Sequence, residues 1–387
     1  MFLQEILIIL AVVWLTRKVF KAIHLPPLFG EIFAGVIVGP LILGAVSETE
    51  SIKLLAELGV FFLMFHSGLE SDPSDLFKSF KSAILVALGS VLFAFGGAYT
   101  VATLFGYESS IAFFIGLSAT VTAVVISTRL FKDYKFTDSR VAHTTMAAAI
   151  MIEVTILIIF SVFMDVQQSG MFDTREIAMT LLKTISYFAI IIFIGRKLFK
   201  HLYKIVYRGN KGYSFTIIIA MAFAVLAELA GLHFIIGAYF AGLFLHDGLV
   251  DQDVFEKIED RAYGLSYSFL GPIFFATLAF HLHFDILTTE LPFVLTILST
   301  IIGMKVLGAT LAAYLALRNK LEAFTIGIAM NSQGAVELII ASIGLQAGVI
   351  NEDIFSLLVF VAFSTTLFSI IAIKPLVQKL KKQELGA

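Results

Sequence analysis

The sequence contains no cysteine and very few charged residues. Of its 387 residues, none is Cys, one is Trp, seven are Pro, and only 14% are Asp, Glu, Lys or Arg. The absence of cysteine excludes disulfide bonds and thiolate metal sites, and the eight histidines lack the spacing of metal ligands. With 59% hydrophobic residues and a mean hydropathy of +0.95, the composition excludes an ordinary soluble protein and indicates a membrane protein with several spans.

Long apolar segments account for most of the chain. Windows of about 20 residues detect roughly thirteen of them, separated by short polar turns. The segments are apolar on every side and do not alternate, which favours helices over barrel strands. The sequence therefore predicts an all-α polytopic membrane protein. The predicted spans are 3–22, 26–45, 53–70, 81–106, 109–131, 140–165, 175–198, 212–230, 232–247, 263–283, 290–317, 321–347 and 353–379.

Basic residues are distributed unevenly between the loops. Almost all of them follow the odd-numbered helices or lie in the C-terminal tail, whereas the opposite loops contain only Lys53 and Arg175. By the positive-inside rule, the C-terminus lies in the cytoplasm and the N-terminus outside. The start of the chain has no basic region or cleavage site, so we expect helix 1 to be an uncleaved span. We expect no soluble regulatory domain within the chain.

A short motif occurs twice. Helix 2 contains G-x-x-F-A-G from Gly30, and helix 9 contains the same pattern from Gly237. The two copies are an odd number of helices apart, so they cross the membrane in opposite directions and predict inverted repeats, a recurrent architecture of secondary transporters. Chance similarity is the alternative, because small residues are common where membrane helices pack.

Helices 5 and 12 contain polar segments at corresponding places in the two halves. These segments are 116–123, GLSATVTA, and 330–337, MNSQGAVE. Ser, Thr and Asn side chains compete for backbone hydrogen bonds, and Gly weakens a helix. If both segments unwind, their half-helix ends would place partial charges at the membrane midplane, where freed carbonyls could face a cation. Polar contacts between packed helices are the alternative.

Three charged residues lie within apolar helices: Glu153 halfway along helix 6, Lys305 halfway along helix 11, and Glu337 beyond the polar segment of helix 12. Because charges are costly at membrane depth, such residues usually serve function. A buried carboxylate can hold either a proton or a hard cation, and their competition is the minimum mechanism of an antiporter. The structural alternatives are an ion pair between Glu153 and Lys305 that orients two helices, and a Glu337 that satisfies freed backbone groups.

Six features in order along nearly the whole chain carry a family resemblance. They are Leu25–Pro40, Leu55–Glu70, Gly116–Phe131, Glu153 in AAAIMIEV, Lys305 in helix 11, and Gly327–Ala341. Together they resemble the bacterial branch of the second monovalent cation:proton antiporter family. That group contains NapA, GerN and the membrane parts of Kef-type potassium efflux systems.

The resemblance implies a particular architecture. It comprises two inverted six-helix repeats joined by helix 7, with discontinuous helices 5 and 12 that cross. A dimerisation domain would consist of 1–70 and 212–283 (helices 1–3 and 8–10), and an ion-translocating core domain of 81–165 and 290–380 (helices 4–6 and 11–13). Helix 7 would form a linker over 175–206. The protein would be a homodimer in the lipid of a bacterial plasma membrane.

The resemblance also assigns roles by position. Glu153 matches the acid that binds ion and proton, and Lys305 matches the lysine of the core. The polar residues expected at the helix crossing are Thr120, Thr122, Asn331, Ser332 and Gln333. Two positions depart from the family pattern: Ile152 stands where many relatives have an acid, Asn or Gln, and Gln333 where many have Arg. Since the lysine often pairs with the acid missing here, Glu153 and Glu337 are both candidate partners.

The resulting hypothesis is a secondary antiporter that exchanges Na⁺ or K⁺ for H⁺ by alternating access, with both ions competing for Glu153. The monovalent cation at Glu153 is the only metal expected, and we expect no cofactor, no enzymatic activity and no binding of nucleic acid. The alternative is a cation channel, or the pore subunit of a ligand-gated K⁺ efflux system that a separate soluble partner controls. An intramembrane enzyme is disfavoured, because no nucleophile with a nearby base lies at membrane depth.

Overall fold

The structure is a computed structural model that describes residues 2–71, 73–169, 174–193, 212–246 and 252–385. In this part of the chain it is helical and contains no strand. The first half comprises α1 Phe2–Ala22, α2 Pro27–Val38, α3 Glu50–Glu70, α4 Pro73–Leu104, α5 Ser109–Thr120, α6 Val124–Asp133, α7 Arg140–Ser169 and α8 Thr174–Phe193. The second half comprises α9 Gly212–Leu229, α10 Phe234–His246, α11 Gln252–Leu265, α12 Gly271–Leu278, α13 Ile286–Thr289, α14 Leu291–Leu317, α15 Lys320–Ala329, α16 Ala335–Gln346 and α17 Glu352–Leu385.

Helix length and composition support the prediction of a polytopic membrane protein. Within the described ranges, seven helices are long and apolar enough to cross a membrane, and five shorter apolar helices accompany them. The count of thirteen spans stays a prediction. Of the predicted linker helix 175–206, α8 covers the part up to Phe193, and the remainder, with the basic cluster 196–211, lies outside the described residues.

Helix α2 is shorter than predicted. The predicted span 26–45 extended over about 20 residues, but the helix ends at Val38 after 12 residues. Gly39 precedes Pro40 and has an extended backbone, because a proline disfavours helical geometry in the residue before it. The prediction was therefore wrong in extent, and the chain continues through a turn in which Gly44 has a positive φ of 57°.

The chain forms two compact units, each assembled from two segments. Unit 1 consists of Met1–Pro73 and Leu157–Phe280, and unit 2 of Ser74–Ile156 and His281–Ala387. Helix α7 begins in unit 2 and ends in unit 1, so it contributes a long segment to each.

Unit 1 is held together where glycines let helices approach closely. A Cβ atom on Gly68 of α3 would collide with the backbone of Tyr239 in α10, and one on Gly242 of α10 would collide with the backbone of Phe65 in α3. The two glycines therefore bring the helix backbones of α3 and α10 into mutual contact. In a membrane, where lipid is as apolar as the helices, such close packing is a main source of helix association.

We predict that Gly68→Ala and Gly242→Ala each destabilise the protein by about 1–3 kcal/mol, because the added methyl group meets backbone that cannot move aside cheaply. Thermal unfolding in detergent would measure the loss. Gly264→Ala in α11 is the matched control in the same unit, since nothing lies within 4 Å of its added Cβ. Equal melting temperatures for the two kinds of variant would contradict the close contact.

Candidate functional site

Two helices of unit 2 are interrupted within the polar segments predicted from the sequence. Helix α5 ends at Thr120 and α6 begins at Val124, which leaves 121–123 non-helical. Helix α15 ends at Ala329 and α16 begins at Ala335, which leaves 330–334 non-helical. The second break contains Asn331 and Ser332, and the first contains Thr122, residues whose side chains compete for backbone hydrogen bonds. We call these segments the first break (121–123) and the second break (330–334).

The two breaks are hydrogen-bonded to each other. The backbone N–H of Ala123 donates to the carbonyl of Ser332 at 2.8 Å, and the Thr122 hydroxyl donates to the carbonyl of Met330 at 2.9 Å. The hydroxyls of Ser127 and Ser332 are 2.8 Å apart. Residues more than 200 positions apart in sequence thus satisfy the polar backbone groups that each break exposes, as the interior of a membrane requires.

Lys305 binds the C-terminal end of α5. Its side chain lies in α14 and is fully buried, and Nζ donates to the carbonyls of Ala119 at 3.1 Å and Val121 at 2.5 Å. A helix C-terminus carries partial negative charge, which an ammonium group stabilises. The sequence suggested that carbonyls freed at the break could face a cation. At these two positions the carbonyls instead accept hydrogen bonds from the protein's own lysine.

Glu337 is the charged residue that interacts with Lys305. It is fully buried in the first turn of α16, where the N-terminal dipole favours a carboxylate. Among the described residues, neither of its carboxylate oxygens has a hydrogen-bond partner. A buried lysine thus lies at the end of one half-helix and a buried acid in the first turn of another, without a direct hydrogen bond between them.

Glu153 lies in α7 and is 1% exposed. One turn earlier, Ala149 and Ile150 pack against Val124, the first residue after the first break. Since residues three and four apart share a helix face, Glu153 belongs to the face of α7 that packs beside this break. Its neighbour Ile152 is also buried.

The remaining predicted polar residues are buried in the same unit. The Thr120 hydroxyl donates to the carbonyl of Leu117 in its own helix. Asn331 donates through Nδ2 to the Gly327 carbonyl at 3.3 Å, and within the described part of the chain its Oδ1 has no hydrogen-bond partner. The first of these contacts is a local cap, whereas Asn331 also presents an acceptor that remains available.

Gln333 of the second break contacts three residues that the sequence analysis did not single out. Its Nε2 donates to the carbonyl of Ser118 at 3.4 Å, and two neighbouring threonines of α17, Thr365 and Thr366, bind its side chain and backbone. The signal in the sequence was the polar run Ser364–Thr366 within an apolar helix, which also fits ordinary polar contacts between helices.

Interrupted helices that meet near buried charged residues are typical of secondary transporters. The chain belongs to the family described as "sodium/hydrogen exchanger, transmembrane", which matches residues 6–379. This confirms the resemblance to monovalent cation:proton antiporters, and the family consists of membrane transporters and not of enzymes.

Curated relatives and a solved structure agree with this family. The probable Na⁺/H⁺ antiporter GerT of Bacillus cereus is 31% identical over 93% of this chain and 95% of its own length. The Na⁺/H⁺-K⁺ antiporter GerN of the same organism is 30% identical over 89% and 88%. The fold is similar to that of the sodium proton antiporter MjNhaP1 of Methanocaldococcus jannaschii, with a TM-score of 0.74, 17% identity and 95% coverage of both chains.

We predict that Lys305→Met destabilises the protein by about 3–5 kcal/mol, because it leaves Glu337 without its positive neighbour and two carbonyls without a donor. The double variant Lys305→Met/Glu337→Gln should recover part of this loss, since no uncompensated charge then stays buried. Thermal unfolding in detergent measures both, with Lys374→Met, at an exposed position of α17, as the control. A double variant no more stable than Lys305→Met would show that the two charges are not coupled.

Proposed function

We propose that the protein is a secondary antiporter that exchanges Na⁺ or K⁺ for H⁺ across the plasma membrane. The observation that carries this proposal is the meeting of the two breaks beside three buried charged residues, in a chain of the sodium/hydrogen exchanger family. The names of the two Bacillus cereus relatives, one a Na⁺/H⁺ and the other a Na⁺/H⁺-K⁺ antiporter, support the choice of ions.

Glu153 is the residue on which the two ions compete. Its burial on the face of α7 beside the first break supports this role. A carboxylate is a suitable ligand for a hard monovalent cation and for a proton, and it is electrically neutralised by either. Glu153 therefore crosses the membrane interior loaded with one ion or the other, and the unloaded charged form is disfavoured there.

Lys305 and Glu337 form a charge pair that supports the site without carrying the ion. Their electrostatic interaction supports Glu337 as a partner of the lysine. In this chain, where Ile152 stands at the position at which many relatives have an acid, Asn or Gln, Glu337 then supplies a negative charge. Because Glu337 balances the charge of the lysine in this way, only Glu153 exchanges a bound cation for a proton. This supports exchange of one cation for one proton.

The two compact units correspond to two mechanical roles. We assign dimerisation to unit 1 and ion translocation to unit 2, and alternating access to movement of unit 2. The segments of the units, 1–73 with 157–280 and 74–156 with 281–387, support this assignment because both breaks belong to unit 2, together with Glu153, Lys305 and Glu337.

The glycine contacts of unit 1 support inverted repeats. In the two G-x-x-F-A-G motifs, the first glycine contacts the helix before it: Gly30 contacts α1, and Gly237 contacts α9. The second glycine contacts a helix of the other half: Gly35 contacts α12, and Gly242 contacts α3. Exchanging the two halves of the chain maps each contact onto the other, which chance similarity of a short motif does not explain.

We predict that Glu153→Gln reduces exchange to the level of protein-free vesicles, because the amide can neither release a proton nor neutralise a cation. Proteoliposomes with an internal pH dye and an imposed Na⁺ or K⁺ gradient measure the exchange. Glu108→Gln, at an exposed acid that makes no side-chain cap on α5, is the control. Full exchange by Glu153→Gln would overturn the role of Glu153, and cation currents without proton movement would indicate a channel.

The lack of cysteine allows a direct test of the predicted orientation. A membrane-impermeant maleimide should label Thr288→Cys in intact cells, because the positive-inside rule assigns its loop to the outer face. Asp138→Cys should be labelled only after permeabilisation, and both positions are exposed. The cysteine-free parent chain gives the background, and the reverse labelling pattern would invert the topology.

A further inference from the structure

Gln333 lies in the second break, where its backbone N–H and carbonyl have left the helical ladder. The residue is fully buried, so both groups require partners from elsewhere in the protein. Its side-chain amide adds two further donors and an acceptor that must also be satisfied. The way these groups are satisfied determines how firmly the second break is held.

One hydroxyl of α17 satisfies both backbone groups. The N–H of Gln333 donates to Thr366 Oγ1 at 2.9 Å, and the same hydroxyl donates to the Gln333 carbonyl at 2.7 Å. A hydroxyl can accept and donate at once, so Thr366 closes a small ring on the backbone of the second break. A valine at this position would have the same shape and neither function.

The neighbouring threonine fixes the side-chain amide. The Ser118 carbonyl can only accept, so it requires the NH₂ group of Gln333, which lies 3.4 Å away. The amide oxygen must then point to Thr365, whose hydroxyl donates to it at 2.5 Å. Thr365 also lies within reach of carbonyls of its own helix, so its bond to Gln333 competes with a purely local alternative.

We propose that Thr365 and Thr366 are positioning residues for ion exchange. They form a clamp, defined by these two residues and Gln333, that fixes the second break against α17 and orients Gln333 towards the end of α5. The adjacent residues Asn331 and Ser332 are in the same break, and Ser332 is bonded to the first break. Releasing the clamp therefore displaces the polar groups around the site without removing any charge.

The role of the clamp in ion exchange rests on the proposed antiport function. It extends that function to residues outside the charged site. Ser369, one turn further along α17, holds the end of α15 by donating to the Ile328 carbonyl at 2.9 Å. The last helix thus holds the second break and the end of α15 through three hydroxyls. Three bonds to one interrupted helix distinguish a built support from a single incidental contact.

The test compares hydroxyl removal with hydroxyl retention. In proteoliposomes, Thr366→Val should raise the Na⁺ or K⁺ concentration for half-maximal exchange by roughly tenfold, the effect of losing about one net hydrogen bond's worth of positioning. Thr366→Ser keeps the hydroxyl and should remain within about twofold of the wild type. Thr365→Val, which removes only the bond to the side chain, should give a smaller increase.

The matched control is Thr325→Val in α15, a fully buried threonine whose hydroxyl bonds to its own helix at Leu321. A general loss of packing would affect it as much as Thr366→Val. If Thr366→Val does not fold, Thr365→Val decides the question, and a folded clamp variant with wild-type cation dependence overturns the proposal. Absence of exchange in the wild type would instead overturn the proposed function.

Discussion

The requirement to satisfy every polar backbone group inside a membrane governs this structure. Two helices stop short within unit 2, and each interruption releases carbonyls that water cannot reach. Side chains of the protein donate hydrogen bonds to these carbonyls. At the end of α5 the donors are Thr120, Gln333 and Lys305, and at the end of α15 they are Asn331, Ser369, Ser332 and Thr122.

This saturation has a consequence for the chemistry of the site. Carbonyls that already accept hydrogen bonds are poor cation ligands unless those bonds break. Within the described residues, the buried oxygens without a hydrogen-bond partner near the breaks include Ser118 Oγ, Asn331 Oδ1 and both carboxylate oxygens of Glu337. We therefore expect the proposed ion binding to depend on carboxylate and side-chain oxygens, and on rearrangement of the network, more than on the helix ends themselves.

The sequence predicted much of the fold and the types of residue at the site, because both depend on local composition. Apolar runs predict helices, and runs of Thr, Asn and Gly predict where two of them break. The hydrogen-bond partners of the breaks were harder to predict from the sequence, because they depend on contacts between distant parts of the chain. Lys305, for example, donates to the carbonyl of Ala119, 186 positions away. The threonines of α17 belong to a short polar run, which ordinary contacts between helices would also explain, whereas the early end of α2 followed from Pro40 and could have been predicted.

The interactions described inside each of the two units differ in kind. In unit 1, glycines bring the backbones of α3 and α10 into contact, and such a contact has one geometry because nothing in it can rotate. In unit 2, hydroxyl and amide groups hold the breaks, and these groups can exchange partners, as the alternative acceptors of Thr365 illustrate. A scaffold requires the first kind of interaction and an ion-carrying element the second. Unit 2 also has a close glycine contact, between Gly89 of α4 and Gly308 of α14, so the exchangeable partners at the breaks, and not a lack of rigid contacts, distinguish the unit to which we assign ion translocation.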